Sequence, residues 1–296
     1  MNAAGRFALV LLLFWTSGSY AQQHFPSAES AGEALVQALA NEQSKSQQLV
    51  NLLGSDWKSY IPTENVDRDD VDAFLSLYRE RHLVQLDSPD RAHLVVGEKS
   101  WVFPIPIKHV ASGWAFDTRA GAEEIRLRRI GRNELATIQG VRAYHDAQMD
   151  YAEVDRNGDG VLEYAQKILS SDGQFDGLYW PEEEGVEESP LGPLFGDAAI
   201  GDDWHGYHYR ILTAQGPSAP GGAYDYKIDE RMTRGFAVIA WPTKYGETGV
   251  MSFMISHDGE VFEKDLGRDS TKKAAAIMRF DPDSSWSEVK DEGDAP

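Results

Sequence analysis

Ala122-Glu-Glu-Ile-Arg-Leu-Arg-Arg-Ile-Gly-Arg-Asn-Glu-Leu-Ala-Thr-Ile-Gln-Gly-Val-Arg-Ala-Tyr144 is the stretch on which the fold turns. Ile125, Leu127, Ile130, Leu135, Ile138, Val141 and Tyr144 supply an apolar stripe at helical spacing, and the helical pattern runs on to about Val154. Gly131 and Gly140 interrupt it, each costing about 1 kcal/mol against alanine in a helix interior. The expectation is therefore a break near Gly131 and a long second helix from about Asn133. Downstream the period changes to that of strands. Tyr207-His-Tyr-Arg-Ile-Leu212, Phe236-Ala-Val-Ile-Ala-Trp241, Val250-Met-Ser-Phe-Met-Ile255 and Val261-Phe-Glu-Lys264 are punctuated by Lys244-Tyr-Gly-Glu-Thr-Gly249 and by a tight turn at Asp258-Gly259. A striped helix ahead of an antiparallel meander with one apolar face is most economically laid across that face.

Upstream, Ser30-Ala-Gly-Glu33 reads as a capping box ahead of Leu35, Val36 and Leu39. A second helix runs to Leu52–Leu53 and stops at Gly54. Asp69 and Asp70 open a third, with Phe74, Leu77 and Tyr78 on one side and Arg79 and Arg81 near its end, where cations complement the helix dipole. His93–Val96, Trp101–Ile107 and Gly113–Asp117 read as short strands edged by prolines. The fold class expected is α+β: N-terminal helices with a small curled antiparallel sheet, then a long helix packed on a C-terminal antiparallel meander. The expected organisation is a leader over 1–21, an α+β domain over 22–120, the helix, an acidic loop and a sheet over 121–267, and a C-terminal segment over 268–296 whose acidic tail from Asp281 lacks order.

Charge and composition narrow the function. Lys and Arg number 28 against 48 Asp and Glu, a formal net charge of −20, which repels a phosphate backbone and excludes nucleic acid as a partner. There is no cysteine, so disulfides, thiolate metal sites and cysteine nucleophiles are excluded. Arg6 precedes the apolar run Phe7–Trp15, and Thr16-Ser-Gly-Ser-Tyr-Ala21 follows with small residues. This is the order of a secretory signal, with cleavage expected after Ala21. The apolar run is well short of the ~20 residues that span a bilayer. The expected location is the periplasm or the medium, with no stable membrane insertion after cleavage and an envelope protein or polymer as partner.

One loop carries ion chemistry on its face. Asp155-Arg-Asn157-Gly-Asp159-Gly160-Val161-Leu-Glu163 places oxygen-bearing side chains at positions one, three and five, glycine at six, the backbone carbonyl of Val161 at seven and Glu163 at nine. That is the first part of a calcium loop of the EF-hand type, so Asp155, Asn157, Asp159, Val161 and Glu163 are the candidate ligands and Ca2+ the one candidate cofactor. Position twelve, where a bidentate carboxylate completes the shell, is Gln166. The competing reading is a polar Asx-type turn that ends the helix. Asp202-Asp-Trp-His205-Gly-Tyr-His208 offers two imidazoles, but positions 205 and 208 of a strand face opposite ways. His145 sits beside Asp146 on the helix and reads as a satisfied helical histidine.

No residue is assigned a catalytic role. Gly216-Pro-Ser-Ala-Pro-Gly221 is not a nucleophile elbow. Three Ser-x-x-Lys matches, at Ser55, Ser270 and Ser287, lack their companion motifs. The acids of Glu182–Glu188 beside Tyr179 and Trp180 keep a glycan or peptide hydrolase open as the alternative. The leading reading is a non-catalytic binding or assembly module, stabilised by calcium if the loop is filled.

Several segments together resemble a secreted bacterial family, domain-of-unknown-function family 2950. They are Gly97–Ile107, Trp114–Gly121, Arg128–Glu134, Ala147–Tyr151, Asp176–Trp180, Gly216–Tyr224, Tyr245–Val250 and Asp258–Leu266. The resemblance implies secretion and no established activity. The block Asn133–Leu266 is also similar to the globular part of type IV pilins and pseudopilins, through a helix carrying Leu135, Tyr144 and Gln148, a loop, and a sheet with the Tyr245–Phe253 hairpin. In this chain the apolar first half of a pilin helix is replaced by a charged segment.

Overall fold

The structure is a computed structural model that describes residues 22–41, 45–63, 66–182, 187–192 and 204–290. The expected leader, Met1–Ala21, lies outside the described residues. Contacts divide the chain into two compact units, Met1–Ile125 and Arg126–Pro296.

The first unit begins with α1 (Ala28–Ala40), α2 (Lys45–Leu53), a short 3-10 turn (Trp57–Ser59) and α3 (Arg68–Glu80). Helix α1 starts a turn earlier than the expected box. Ser27 is the N-cap, accepting the Ser30 amide at 3.2 Å, and the Ser30 hydroxyl accepts from the Ser27 amide in return. Helix α3 repeats the device with Asp67 and Asp70, which leaves Asp69 and Asp70 in the first turn. Helix α2 ends at Gly54, whose φ of 97° lets its amide turn back to the Val50 carbonyl at 2.9 Å.

Five strands follow: β1 (His82–Ser88), β2 (Arg91–Val96), β3 (Trp101–Val102), β4 (Ile107–Val110) and β5 (Gly113–Phe116). The sheet order is β1-β2-β4-β5, all antiparallel, with β3 paired to β2. Strand β1 was not expected. It is an edge strand exposed on most of its length, so it lacks the apolar alternation that marks a half-buried strand. Phe25, Leu35, Leu52, Leu94, Ile107 and Phe116 form the core of this unit.

Helix α4 (Thr118–Tyr151) runs 34 residues without the break expected at Gly131. Side chains on either side of that glycine hold it to the second unit's backbone. Arg126 donates to the Gly246 carbonyl, Arg129 to the Glu247 carbonyl at 3.0 Å, and Asn133 to the Thr248 carbonyl at 2.8 Å. The Glu134 carboxylate accepts the amides of Val250 and Met251 at 2.8 and 2.9 Å. These bonds, and burial of Ile130, Thr137 and Val141, outweigh a glycine penalty of about 1 kcal/mol. Gly140 is required for another reason: a Cβ there would stand 2.1 Å from the Trp204 ring.

The second unit's strands are β6 (Tyr207–Leu212), β7 (Ala214–Gln215), β8 (Tyr224–Asp225), β9 (Lys227–Ile228), β10 (Arg231–Met232), β11 (Ala237–Pro242), β12 (Met251–Ser256) and β13 (Val261–Asp265), then α5 (Ser270–Ala276) and β14 (Ser287–Glu288). The main sheet has the order β14-β13-β12-β11-β6 and is antiparallel throughout. Val141, Tyr144, Ala147 and Tyr151 of α4 join the core of this sheet. The Tyr144 ring meets Phe236 edge-on at 5.8 Å and its hydroxyl donates to the Ala237 carbonyl at 3.3 Å. The fold is thus α+β, with a long helix laid on a C-terminal antiparallel sheet.

The sheet is covered on both faces rather than one. All six residues of β11 are buried, and successive side chains alternate between faces. Arg210, opposite Ile239, donates to the Ala274 and Ala275 carbonyls at 2.8 and 3.1 Å and to that of Ile277, so α5 lies over the face away from α4. The unbroken apolar run Phe236–Trp241 is what a strand buried on both faces requires. Residues 281–290, expected to lack order, carry β14 and the bond from the Val289 amide to the Val261 carbonyl at 2.8 Å. Trp286 and Val289, apolar residues inside this acidic stretch, pack against the core that holds Phe280 just before it. No helix among the described residues is long and apolar enough to cross a membrane.

Candidate functional site

The candidate ion loop leaves the C-terminal end of α4 and folds around Asp155. Gly158 and Gly160 adopt φ of 72° and 84°, conformations that turn successive amides inward. The Asp155 carboxylate accepts the amides of Gly158 and Gly160 at 2.8 Å and of Asp159 at 3.3 Å. The amide of Gly160 above all, with those of Gly158 and Asp159, holds its carboxyl below the usual carboxylate range. Asn157 Oδ1 accepts the Asp159 amide at 3.0 Å, and Asp159 Oδ1 accepts the Val161 amide at 3.0 Å.

Asn157 closes the turn with its other end, Nδ2 donating to Glu163 Oε1 at 2.8 Å and to Asp159 Oδ2 at 3.3 Å. Arg231 of β10 reaches the same Asp159 oxygen at 2.7 Å. Glu163 is pushed up, first by burial and then by the charges of Asp159 and Asp155, against the pull of Arg231. Asp155, Asn157, Asp159 and Glu163 therefore share one hydrogen-bonded turn. Val161 contributes its amide to it. As they stand, their oxygens face N–H donors and a guanidinium. Among the described residues no group of three or more His, Asp or Glu side chains is arranged to hold a metal ion.

Position twelve is turned elsewhere. Gln166 Nε2 donates to the Glu230 carbonyl at 2.7 Å, and the Tyr164 amide to the Met232 carbonyl at 2.8 Å. Between Lys227–Ile228 and Arg231–Met232, Asp229 and Glu230 form the tight turn with φ of 48° and 68°. The loop is tied to α4 as well. Gln148 is fully buried, and its amide donates to the Ala165 carbonyl and accepts the Ala165 amide, both at 2.8 Å. No spacing rule connects Arg231 or Gln148 to the loop, and only the folded chain brings them there.

Asp176, before the acidic patch, and Glu187, within it, are also held by partners. Arg156, only 10% exposed, lies 5.2 Å from the ring centres of both Tyr151 and Trp180 and pairs with Glu187 at 3.3 Å. Trp180 is buried, its indole N–H donating to the Glu187 carbonyl at 2.8 Å. Asp176 bonds Lys167 and accepts the Ser171 amide at 2.8 Å, and the Lys167 bond first, then Ser171, lowers its carboxyl from the ordinary value. Glu182 is exposed, and residues 183–186 lie outside the described residues.

The histidines are placed apart. His205 occupies the turn before β6 with φ 51°, its ring 4.4 Å from that of Trp204. His208 packs 5.5 Å from the Trp241 ring. Asp202 and Asp203 lie outside the described residues. His145 bonds Asp146 at 3.0 Å and packs against Phe236.

Fold and site together define an α+β protein in which Asp155, Asp159 and Asp176, in the described part of the connection between helix and sheet, each have bonding partners. The model of the family described as protein of unknown function (DUF2950) matches residues 22–289, and the chain belongs to that family. No curated protein and no solved structure matches it.

Proposed function

We propose that this chain is an exported, non-catalytic binding or assembly module of the cell envelope, pilin-like in its C-terminal part. The observation that carries the reading is where the carboxylates go. Hydrolysis by paired acids needs two carboxyls flanking one bond, with their proton affinities set apart. Asp176 is instead held by Lys167 and Ser171, Glu187 by Arg156, and Asp155 by backbone amides. Trp180, the ring a sugar would stack on, is buried.

Export is supported by the basic, apolar and small-residue order of 1–21, and by a family match that starts at residue 22, the first residue after the expected cut. The partner of that module is an envelope protein or polymer. Calcium enters as a stabiliser held by Asp155, Asn157, Asp159, the Val161 carbonyl and Glu163. Burial first, and then the charges of Asp159 and Asp155, raise Glu163, and a cation relieves the repulsion among these acids once Arg231 releases Asp159 and the Asn157 amide turns away.

The test is expression of the full chain in a bacterial host, followed by fractionation and N-terminal sequencing. A chain beginning at Gln22 outside the cytoplasm is expected, with no product released from glycan strands or peptides. An uncleaved cytoplasmic chain would overturn export. Product release abolished by Glu182→Gln or Asp176→Asn would overturn the non-catalytic reading and install the hydrolase.

A further inference from the structure

Strand β1 is the outer strand of the first unit's sheet, and among the described residues β2 is the one strand paired with it. The ladder to β2 settles which of its backbone groups stay open. The Gly97 amide donates to the Arg81 carbonyl at 2.8 Å, so these two residues face each other as a bonded pair. Bonded and non-bonded pairs alternate along an antiparallel ladder. Leu83 and Gln85 therefore bond Val95 and His93, and the N–H and C=O of His82, Val84 and Leu86 point away from β2. Leu94 agrees: it stands opposite Val84 and spends its carbonyl on the other side of β2, accepting the Phe103 amide at 2.8 Å. The open row carries no proline or lysine to blunt it, and Leu83 and Leu86 are 38% and 60% exposed. A bulge between Leu86 and Ser88 ends the flat run.

We infer that β1 pairs with β1 of a second copy of this chain, antiparallel about a two-fold axis at Val84, so that two first-unit sheets join into one. His82, Val84 and Leu86 then oppose Leu86, Val84 and His82 of the other copy, and their open N–H and C=O groups find partners across the axis. Between them Leu83 opposes Gln85 and Arg81 opposes Asp87, in the non-bonded pairs where side chains approach most closely. Charge selects this register. Arg81 is half exposed and meets Glu98 at 4.0 Å. The Asp87 carboxylate pairs with His93, which stands opposite Gln85, so it lies on the face that Arg81, Leu83 and Gln85 share. It is 36% exposed, which leaves acceptor positions for a guanidinium. A strand with a cation at one end and an anion at the other is complementary to itself when reversed. An axis at Gln85 sets Asp87 against Leu83, and one at Leu86 falls at the bulge. The pairing lies wholly in the first unit and needs neither export nor the ion loop.

A single strand pair is smaller than the roughly 1,200 Å² at which stable interfaces begin, so a reversible dimer with a dissociation constant of about 10–100 μM is expected. The test is sedimentation velocity on the full chain from about 1 to 300 μM, across which dimer should replace monomer. Arg81→Glu sets two acids face to face and Asp87→Arg two guanidiniums, and each should weaken self-association at least tenfold. In an equimolar mixture of these two variants every contact again joins opposite charges, and association should return to within about threefold of the original. Leu86→Pro removes an N–H that faces only the partner, so it should abolish the dimer with an unchanged circular dichroism spectrum. A chain monomeric at every concentration overturns the second copy as occupant and leaves the edge to a strand of another protein. A dimer indifferent to Leu86→Pro, or a mixture associating as weakly as its components, overturns the pairing as well.

Discussion

Replacing Gln148 with leucine tests how the second unit holds its long irregular segment. Leucine has nearly the volume of glutamine, so packing at this fully buried position is retained while the amide is lost. The Ala165 amide and carbonyl, both bonded to Gln148 at 2.8 Å, would then be left inside without partners, since Ala165 is 1% exposed. Each such group costs about 1–3 kcal/mol, so the pair sets a loss of about 4 kcal/mol. At about 2–4 °C per kcal/mol for a domain of this size, the melting transition of the second unit should fall by about 8–16 °C. Thermal and urea melts give the loss, and hydrogen exchange at the Ala165 amide locates it. Tyr144→Phe, which removes a hydroxyl bonded by Gln148 at 2.9 Å, should cost only about 1 kcal/mol. A Gln148→Leu chain that loses under about 1 kcal/mol and keeps its Ala165 protection would refute the claim that this residue couples helix and segment.

The two helical glycines of α4 should respond in opposite senses to alanine. Gly140→Ala drives a methyl into Trp204 and should destabilise by about 1–3 kcal/mol, whereas Gly131→Ala meets nothing within 4 Å and should stabilise by about 0.5–1 kcal/mol in urea melts. Calcium at saturating concentration should raise the melting temperature above that in chelator, because a ligand held only by the folded form shifts the equilibrium toward it; an unchanged melt removes calcium from the account. The candidate loop should also report pH in two directions. Asp155 and Asp176 are lowered in the folded chain, so their contributions are present above the ordinary carboxylate range and lost as pH falls through the lowered values. Glu163 is raised, so its ionisation opposes folding and that opposition fades as pH falls through its raised value. Carboxyl titration by NMR should resolve these opposite displacements, with the protection of the Gly160 and Ser171 amides, relative to their intrinsic exchange rates, falling in acid.

The sequence alone determined what is local. Helix ends are written in short-range chemistry, as at Gly54 and in the acids opening α3, and strands β6, β11, β12 and β13 are legible because apolar runs and the Asp258-Gly259 turn are properties of neighbours in the chain. The candidate loop was legible for the same reason, since its oxygen-bearing residues lie within nine positions. Contacts between distant segments were decided only by the tertiary structure. Gly131 stays helical because Arg126, Asn133 and Glu134 bond a connection more than a hundred residues later. Strand β1 exists because β2 offers a hydrogen-bonding edge, and the second face of the main sheet is closed by α5, short enough to carry little signal of its own. Asp159 meets Arg231 and Ala165 meets Gln148 for the same physical reason: a buried polar group takes whichever partner the packed chain brings within reach, and sequence distance has no part in that energy.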